Sequence, residues 1–273
     1  MTFRSARAIS IGVFFAGIAA ACTDANAPEG EAPELPPQSS FIIDFSDFTS
    51  STLTASARAV LGPTGHTYWE RSAVVVGAWK SILTVTLAPP VAAFVTSFSH
   101  QPEWADGAWT WPYDFNVWGV RHSARLEARS VAAGVRWDMY ISKEGAYTDF
   151  HWYTGVSNIS GTAGTWLLSR GPADSTAFME VDWHRASSGE TYDTRYTNVV
   201  TGTNEYGSYI TYGVTGDTPF DAFFVLFYGA QPHNLTEIEW TRTTKAGRTR
   251  DPAFFQDSAW RCWASDHENA TCS

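Results

Sequence analysis

Basic residues are scarce in this sequence. The 273-residue chain has 18 Lys and Arg against 28 Asp and Glu, which gives a formal net charge of −10. Residues 1–21 carry Arg4 and Arg7 but no acidic residue, so a chain without them has 16 basic against 28 acidic residues and a charge of −12. Such a surface repels phosphate backbones, and we therefore expect no nucleic-acid partner.

The familiar catalytic signatures are also missing. The sequence has no G-x-S-x-G elbow, no H-E-x-x-H, no phosphate-cradling glycine loop and no EF-hand spacing. It names no reaction, no catalytic residue and no cofactor. Catalysis stays open, but we expect a non-enzymatic role ahead of an enzymatic one.

Cysteine occurs only three times, and the first one closes an N-terminal leader. Arg4 and Arg7 are followed by the uncharged apolar segment 9–21, which ends directly before Cys22. Its 13 residues are too few for a bilayer span, which takes about 20. Residues 1–21 are therefore predicted to be a signal peptide.

The end of this leader, Ala19-Ala20-Ala21-Cys22, resembles the lipobox of bacterial lipoproteins. The resemblance implies that Cys22 is lipidated and attaches the protein to a membrane. Because Thr23 rather than Asp follows, it also implies sorting to the outer membrane, on either the periplasmic or the surface-facing side. The alternative is ordinary cleavage at an Ala-x-Ala site, with Cys22 incidental.

Residues 22–40 have a different composition from the rest of the chain. Four prolines alternate with acidic residues and glycine. This composition buries too little apolar surface to fold, so we predict a disordered tether behind the lipidated cysteine. Residues 41–273 are then expected to form a single domain.

Cys262 and Cys272 are the two cysteines left after lipidation of Cys22. In an exported protein such a pair is expected to form a disulfide, which would stabilise the fold by roughly 2–3 kcal/mol. No further ligands lie at a zinc spacing from them, so we expect no metal.

Alternating hydrophobic residues dominate the chain from Trp109 to Trp240. Residues 131–141 place Val131, Val135 and Trp137 on one face, and residues 177–185 repeat the pattern. A period of two predicts strands with one buried face. About ten such runs, separated by turn residues and without a helical crossover, predict a mainly β fold: a large curled antiparallel meander in the form of a barrel or half barrel. FIIDFSDF from Phe41 is predicted to be an opening strand or a docked extended segment.

Two short helices, within about residues 67–99, are predicted to precede the meander. Thr67 and Glu70 fit a capping box, and an apolar stripe then continues through Val75, Ala78, Trp79, Ile82 and Thr86 until Pro89-Pro90. A second stripe follows the prolines at Val91, Phe94, Val95 and Phe98. The β-branched residues in 82–87 leave a strand as the alternative interpretation of that segment. Two apolar stripes need a surface to cover, and the sheet offers one.

The most suggestive polar residues are Glu180, Asp182 and His184, which alternate along one predicted strand. Such a row suits cation binding or acid–base chemistry, but it is also the ordinary wet face of an antiparallel strand, and we favour the latter. The same holds for His151. Four residues, Arg242, Lys245, Arg248 and Arg250, are expected in a solvated hairpin or loop rather than an anion site.

Three functions from different classes fit these features. The first is a binding module that holds a lipid or another hydrophobic molecule; the order of tether, helices and meander resembles, in architecture only, the half-barrel lipoproteins of the LolA type. The second is a glycan-binding or glycan-cleaving surface protein, with acids such as Glu180, Asp182, Glu237 and Glu239 in a cleft beside exposed aromatics. The third is a structural or interaction protein of the envelope. An enclosed aromatic void favours the first function, an exposed aromatic groove beside two carboxylates the second, and a solid core the third.

Overall fold

The computed structural model describes residues 30–42, Phe48 and residues 66–272. The predicted signal peptide, Cys22 and the first part of the predicted tether lie outside the described residues. So do residues 43–47, which form most of the strand predicted from Phe41.

One long antiparallel sheet follows a pair of helices. The helices are α1 (Thr67–Thr86), α2 (Ala88–Ser97) and a short α3 (Pro252–Phe255). The strands are β1 (Glu103–Ala105), β2 (Ala108–Val117), β3 (Val120–Val131), β4 (Gly134–Lys143), β5 (Tyr147–Ser157), β6 (Ala163–Gly171), β7 (Asp174–Arg185), β8 (Tyr192–Asn198), β9 (Tyr209–Val214), β10 (Ala222–Tyr228), β11 (Asn234–Trp240), β12 (Gly247–Arg250), β13 (Arg261–Trp263) and β14 (Asn269–Ala270).

Strand order in the sheet is the order of the chain, from β1 to β14. Each strand pairs with its neighbours, and β1 does not pair with β14 in the described part of the chain, so the sheet is open. The predicted antiparallel meander with two preceding helices is confirmed. Within the described residues it has 14 strands, where the sequence predicted about ten.

The strand predicted across residues 131–141 is two strands. Val131 ends β3 and is 39% exposed, whereas Val135 and Trp137 on β4 are buried as predicted. β3 was missed because its buried positions carry small or polar residues such as His122 and Ala128. Ala128 lies opposite both Trp109 and Trp137, and a small side chain there leaves room for the two indoles.

Large and small residues also face each other elsewhere on the buried side of the sheet. Three tryptophans lie over glycines of the neighbouring strand, in the pairs Gly155–Trp166, Gly164–Trp183 and Gly247–Trp263. A Cβ added to these glycines would lie 2.3, 2.7 and 2.3 Å from the respective indole ring. Glycine is thus required where the indole lies flat on the neighbouring backbone.

The two helices join the ends of the sheet. α2 packs on β2, β3 and β4, while α1 packs on β12, β13 and β14. The pair therefore spans the first and last strands, which do not pair with each other. Within the described residues no single helix is both long and apolar enough to cross a membrane; α1 and α2 pass by length and composition only as a pair bent by 75°.

The start and the apolar stripe of α1 differ from the prediction. The N-cap residue is His66 and not Thr67; its side chain makes no cap hydrogen bond, and its carbonyl accepts the first helical hydrogen bond from the Glu70 amide at 2.9 Å. Ile82 is exposed and Leu83 is buried. The helix continues through the β-branched segment to Thr86, and Pro89 and Pro90 lie in the first turn of α2.

Phe41 anchors the N-terminal segment in the core. Its ring centroid lies 4.9 Å from that of Tyr153, 5.4 Å from Phe94 and 5.7 Å from Trp166. Ser40, within the predicted tether, is also fully buried, and its carbonyl accepts a hydrogen bond from Trp166 Nε1 at 3.2 Å. The docked part of the chain thus begins before residue 41, the predicted start of the domain.

Asp251 connects α1 to the last strands. Its side chain is fully buried, and its Oδ2 accepts hydrogen bonds of 2.9 and 2.6 Å from the guanidinium of Arg71. Its Oδ1 accepts one of 3.0 Å from Asn234 Nδ2 on β11, and the carboxylate also caps α3. This ion pair fixes the helix against the C-terminal end of the sheet.

The predicted disulfide between Cys262 and Cys272 is present, with a Cα–Cα distance of 5.2 Å. Cys262 lies on β13, and Cys272 follows β14, so the bond closes the last hairpin. The predicted strands ended at Trp240, because β12, β13 and β14 are too short to produce a visible alternation.

Replacing Gly155 with alanine is expected to destabilise the fold by at least about 2 kcal/mol. The new Cβ would lie 2.3 Å from Trp166 Cε3 and 2.4 Å from the Thr165 carbonyl oxygen, and backbone cannot move aside cheaply. Urea denaturation measures the loss. Gly216→Ala is the control, because no atom lies within 4 Å of its Cβ position, and it is expected to stay within about 0.5 kcal/mol of wild type. Equal losses in both variants would contradict the close packing.

Candidate functional site

A cleft of about 670 Å³ lies between the helix pair and the sheet. The described lining residues come from the segment before Ile42, from α1 and α2, from the β2–β3 turn and from β8. They are Gln38, Ser39, Phe41, Ile42, Lys80, Leu83, Thr84, Leu87, Ala88, Val91, Ala92, Trp118, Tyr192 and Tyr196. Its volume falls within the range of about 300–1,000 Å³ that is usual for small-molecule sites.

The walls of the cleft are apolar for reasons of helix geometry. Leu83 and the C-cap residue Leu87 are four residues apart and therefore lie on the same side of α1, and Val91 and Ala92 extend this surface along α2. The bend between the helices lies at Leu87, which is itself a lining residue. The two helices thus form one continuous apolar wall.

Tyr196 forms part of the opposite wall without adding charge. Its hydroxyl donates a hydrogen bond of 3.1 Å to the Phe41 carbonyl. Burial raises the pKa of Tyr196 well above its ordinary value, so the side chain stays neutral at physiological pH.

The rim of the cleft is different in character. Lys80 and Thr84 are exposed one turn apart on α1, and Trp118 in the β2–β3 turn is 74% exposed. Lys80 is the only charged residue among the described lining residues. The site therefore combines an apolar interior with a single positive charge at its edge.

The predicted polar row lies on the opposite face of the sheet from the core. Glu180, Asp182 and His184 do share one side of β7, as alternate residues must. Asp182 accepts a hydrogen bond of 2.9 Å from Thr165, and His184 Nδ1 lies 3.4 Å from Asp193 Oδ2. None of the three is among the described residues that line the cleft.

Glu237 and Glu239 share a face of β11 but are each engaged by an arginine of β12. Arg248 Nε donates to Glu239 Oε2 at 2.7 Å, and Arg250 bonds to Glu237. Both guanidinium groups also lie over the ring of Trp260. The two carboxylates thus form cross-strand ion pairs.

The four basic residues lie in the β11–β12 loop and on β12, and each is half-buried. Arg242 in the β11–β12 loop pairs with Asp221 at 3.1 Å, while Arg248 and Arg250 belong to β12 itself.

A buried carboxylate that the sequence did not single out lies on β4. Asp138 is 3% exposed, and it accepts hydrogen bonds of 2.9 Å from His151 Nε2 and from Arg136 Nε. Burial acts to raise the pKa of Asp138, but the hydrogen bonds from His151, Arg136 and Thr154 outweigh it and hold the pKa well below its ordinary value.

Asp138 was missed because alternation assigns it to the solvent side of β4. Its neighbour across the strands is Glu127, also buried, which pairs with Arg125 and Arg129. Long side chains on this face cover both carboxylates. Alternating Arg and Glu at positions 125–129 was the available signal for this cluster.

The described residues include no group of three or more His, Cys, Asp or Glu side chains placed to hold a metal ion. Comparison of the chain with protein-family models, with curated proteins and with solved structures gives no match.

Asp138→Asn is expected to destabilise the protein by about 2–4 kcal/mol at pH 7, because it removes the charged acceptor of two hydrogen bonds. The folded-state pKa of Asp138 lies below the unfolded value of about 3.9. The contribution of Asp138 to the stability of the fold is therefore fully present above pH about 3.9 and is lost as the pH falls from there towards the folded-state pKa. The difference in the free energy of unfolding between wild type and Asp138→Asn should therefore be smaller at pH 3 than at pH 7, as measured by urea denaturation.

Asp114→Asn provides the control, because this carboxylate forms an ion pair with Arg121 in which both side chains are more than half exposed. Its effect should remain below about 1 kcal/mol at either pH. A gap for Asp138→Asn that stays constant between pH 7 and pH 3 would contradict the assigned pKa direction.

Proposed function

We propose that this chain is an exported lipoprotein that binds a hydrophobic small molecule in the cleft between α1, α2 and β8, without catalysing a reaction. The observation that carries the binding function is the cleft itself, with its volume of about 670 Å³ and its apolar walls. Small-molecule sites are typically concave and mostly apolar, with few polar groups.

The buried tryptophans bear on the choice between the candidate functions. Five tryptophans are fully buried, and none of them is among the described residues that line the cleft: Trp137, Trp166, Trp183, Trp240 and Trp263. Their burial supports the structural or interaction protein as the second candidate. Ligand binding is therefore assigned to the cleft beside the helices and not to the aromatic interior of the sheet.

Glycan cleavage has less support. The carboxylate pair considered for it, Glu237 and Glu239, is engaged by Arg250 and Arg248, and a nucleophile or general acid needs a carboxylate that can reach substrate. Glycan binding remains an outcome of the ligand test below.

The membrane attachment rests on the leader sequence. Arg4, Arg7, the apolar segment 9–21 and Ala19-Ala20-Ala21-Cys22 together support export and lipidation at Cys22. Thr23 supports retention at the outer membrane. The lipid anchor would be the protein's contact with the membrane.

Metabolic labelling of bacterial cells with an alkyne fatty acid tests the anchor. The full chain should incorporate the label into the membrane fraction, and Cys22→Ser should abolish it because no other acylation site is proposed. The double variant Cys262→Ser, Cys272→Ser is the control and should retain the label. Equal labelling of wild type and Cys22→Ser would contradict lipidation at this residue.

Native mass spectrometry of the full chain, purified from bacterial envelopes, tests the binding function. We expect a discrete additional mass that organic extraction removes. Ala92→Trp should lower its occupancy at least about tenfold, because the indole would project into the cleft, while Ala78→Trp on the exposed side of α1 should leave it unchanged. If repeated preparations showed only the mass of the protein without ligand, or if Ala92→Trp kept full ligand occupancy, the result would contradict ligand binding in the cleft. It would favour the structural alternative or glycan binding.

A further inference from the structure

Charge is distributed unevenly in and around the cleft. Of its described lining residues only Lys80 is charged, and none is acidic. This is unusual for a chain with a formal net charge of −10 and only three lysines. A lone cation at the edge of an apolar cleft favours ligands that carry a negative charge.

Lys80 also differs from most basic residues of the described chain. Arg71, Arg248 and Arg250 each bond to a carboxylate on a neighbouring element, whereas no ion pair among the described residues involves Lys80. Its ammonium group can therefore pair with a ligand without breaking an existing ion pair.

The apolar wall begins directly beside this charge. Leu83 and Leu87 lie three and seven residues after Lys80, which places all three on the same side of α1, and Val91 extends the wall on α2. Opposite them, the Tyr196 hydroxyl is already engaged by the Phe41 carbonyl. A ligand that fits has one charged end at Lys80 and an apolar body along the helices.

We propose that the ligand is a single-chain anionic amphiphile of the fatty-acid class, with its carboxylate paired to Lys80 and its hydrocarbon chain against Leu83, Leu87 and Val91. This inference rests on the proposed binding function and specifies its ligand.

Three probes with the same chain and different head groups test the charge assignment. Dodecanoate, 1-dodecanol and dodecylammonium are added to the full chain in a non-ionic detergent, and bound ligand is measured by native mass spectrometry. Dodecanoate should bind at least about tenfold more tightly than dodecanol, and dodecylammonium more weakly than dodecanol. Lys80→Glu should reverse the order of dodecanoate and dodecylammonium and leave dodecanol within about twofold of wild type.

Lys143→Glu is the matched control, because it makes the same charge change at a lysine that does not line the cleft. It should leave the preference for dodecanoate unchanged. The proposal of an anionic ligand would be overturned if Lys80→Glu and Lys143→Glu lost dodecanoate binding equally, or if wild type bound dodecanoate and dodecanol equally. Either result would leave a hydrophobic-ligand site in place. If none of the three probes binds in a manner sensitive to Ala92→Trp, both the ligand class and the proposed function fail.

Discussion

One constraint dominates this structure: an open sheet of 14 strands has an apolar face that water must not reach. A closed barrel would cover that face with its own strands, but here β1 and β14 do not pair in the described chain. The cover is supplied by α1, α2 and the segment around Phe41. Its position depends on the ion pair of Arg71 and Asp251, because removal of Arg71 would leave the fully buried carboxylate of Asp251 without its counter-charge.

The cleft follows from the way in which this cover is divided. α2 lies on the first strands of the sheet and α1 on the last, while the 3-10 turn Gln38–Ser40 lies on β7 and β8 between them. Three separate pieces of chain therefore border the cleft, and Tyr192 and Tyr196 of β8 line it as well. The 75° bend between the helices lies at this cleft, where Leu87 and Ala88 line it.

Much of the fold could be predicted from the sequence, and the reasons are local. Val181 and Trp183 alternate with Asp182 and His184, and such a period of two defines a strand and its faces without knowledge of its partners. β3 was missed because Ala128 has to be small between two tryptophans, a requirement that only the strand register reveals.

The sites depend on register and on distant residues. Lys80, Trp118 and Tyr196 belong to three separate parts of the chain, and no pattern in the sequence relates them. Asp138 reads as a solvent-facing residue until Arg136 and His151 are placed over it. The sequence thus predicts which face of a strand a side chain takes, but not what covers that face.

The dense packing on the buried face of the sheet contrasts with the open cleft, and this contrast supports a binding function for the cleft. On the buried face of the sheet, Trp166 and Trp183 lie so close to Gly155 and Gly164 that one methyl group would not fit. Protein interiors of this density contain few voids larger than a water molecule, because unfilled apolar volume forfeits dispersion contacts. The cleft of about 670 Å³ beside this packing is open at its rim, and its apolar wall includes Leu87, Val91 and Ala92. Binding of an apolar molecule there would remove this wall from water, which is favourable in proportion to the apolar area covered.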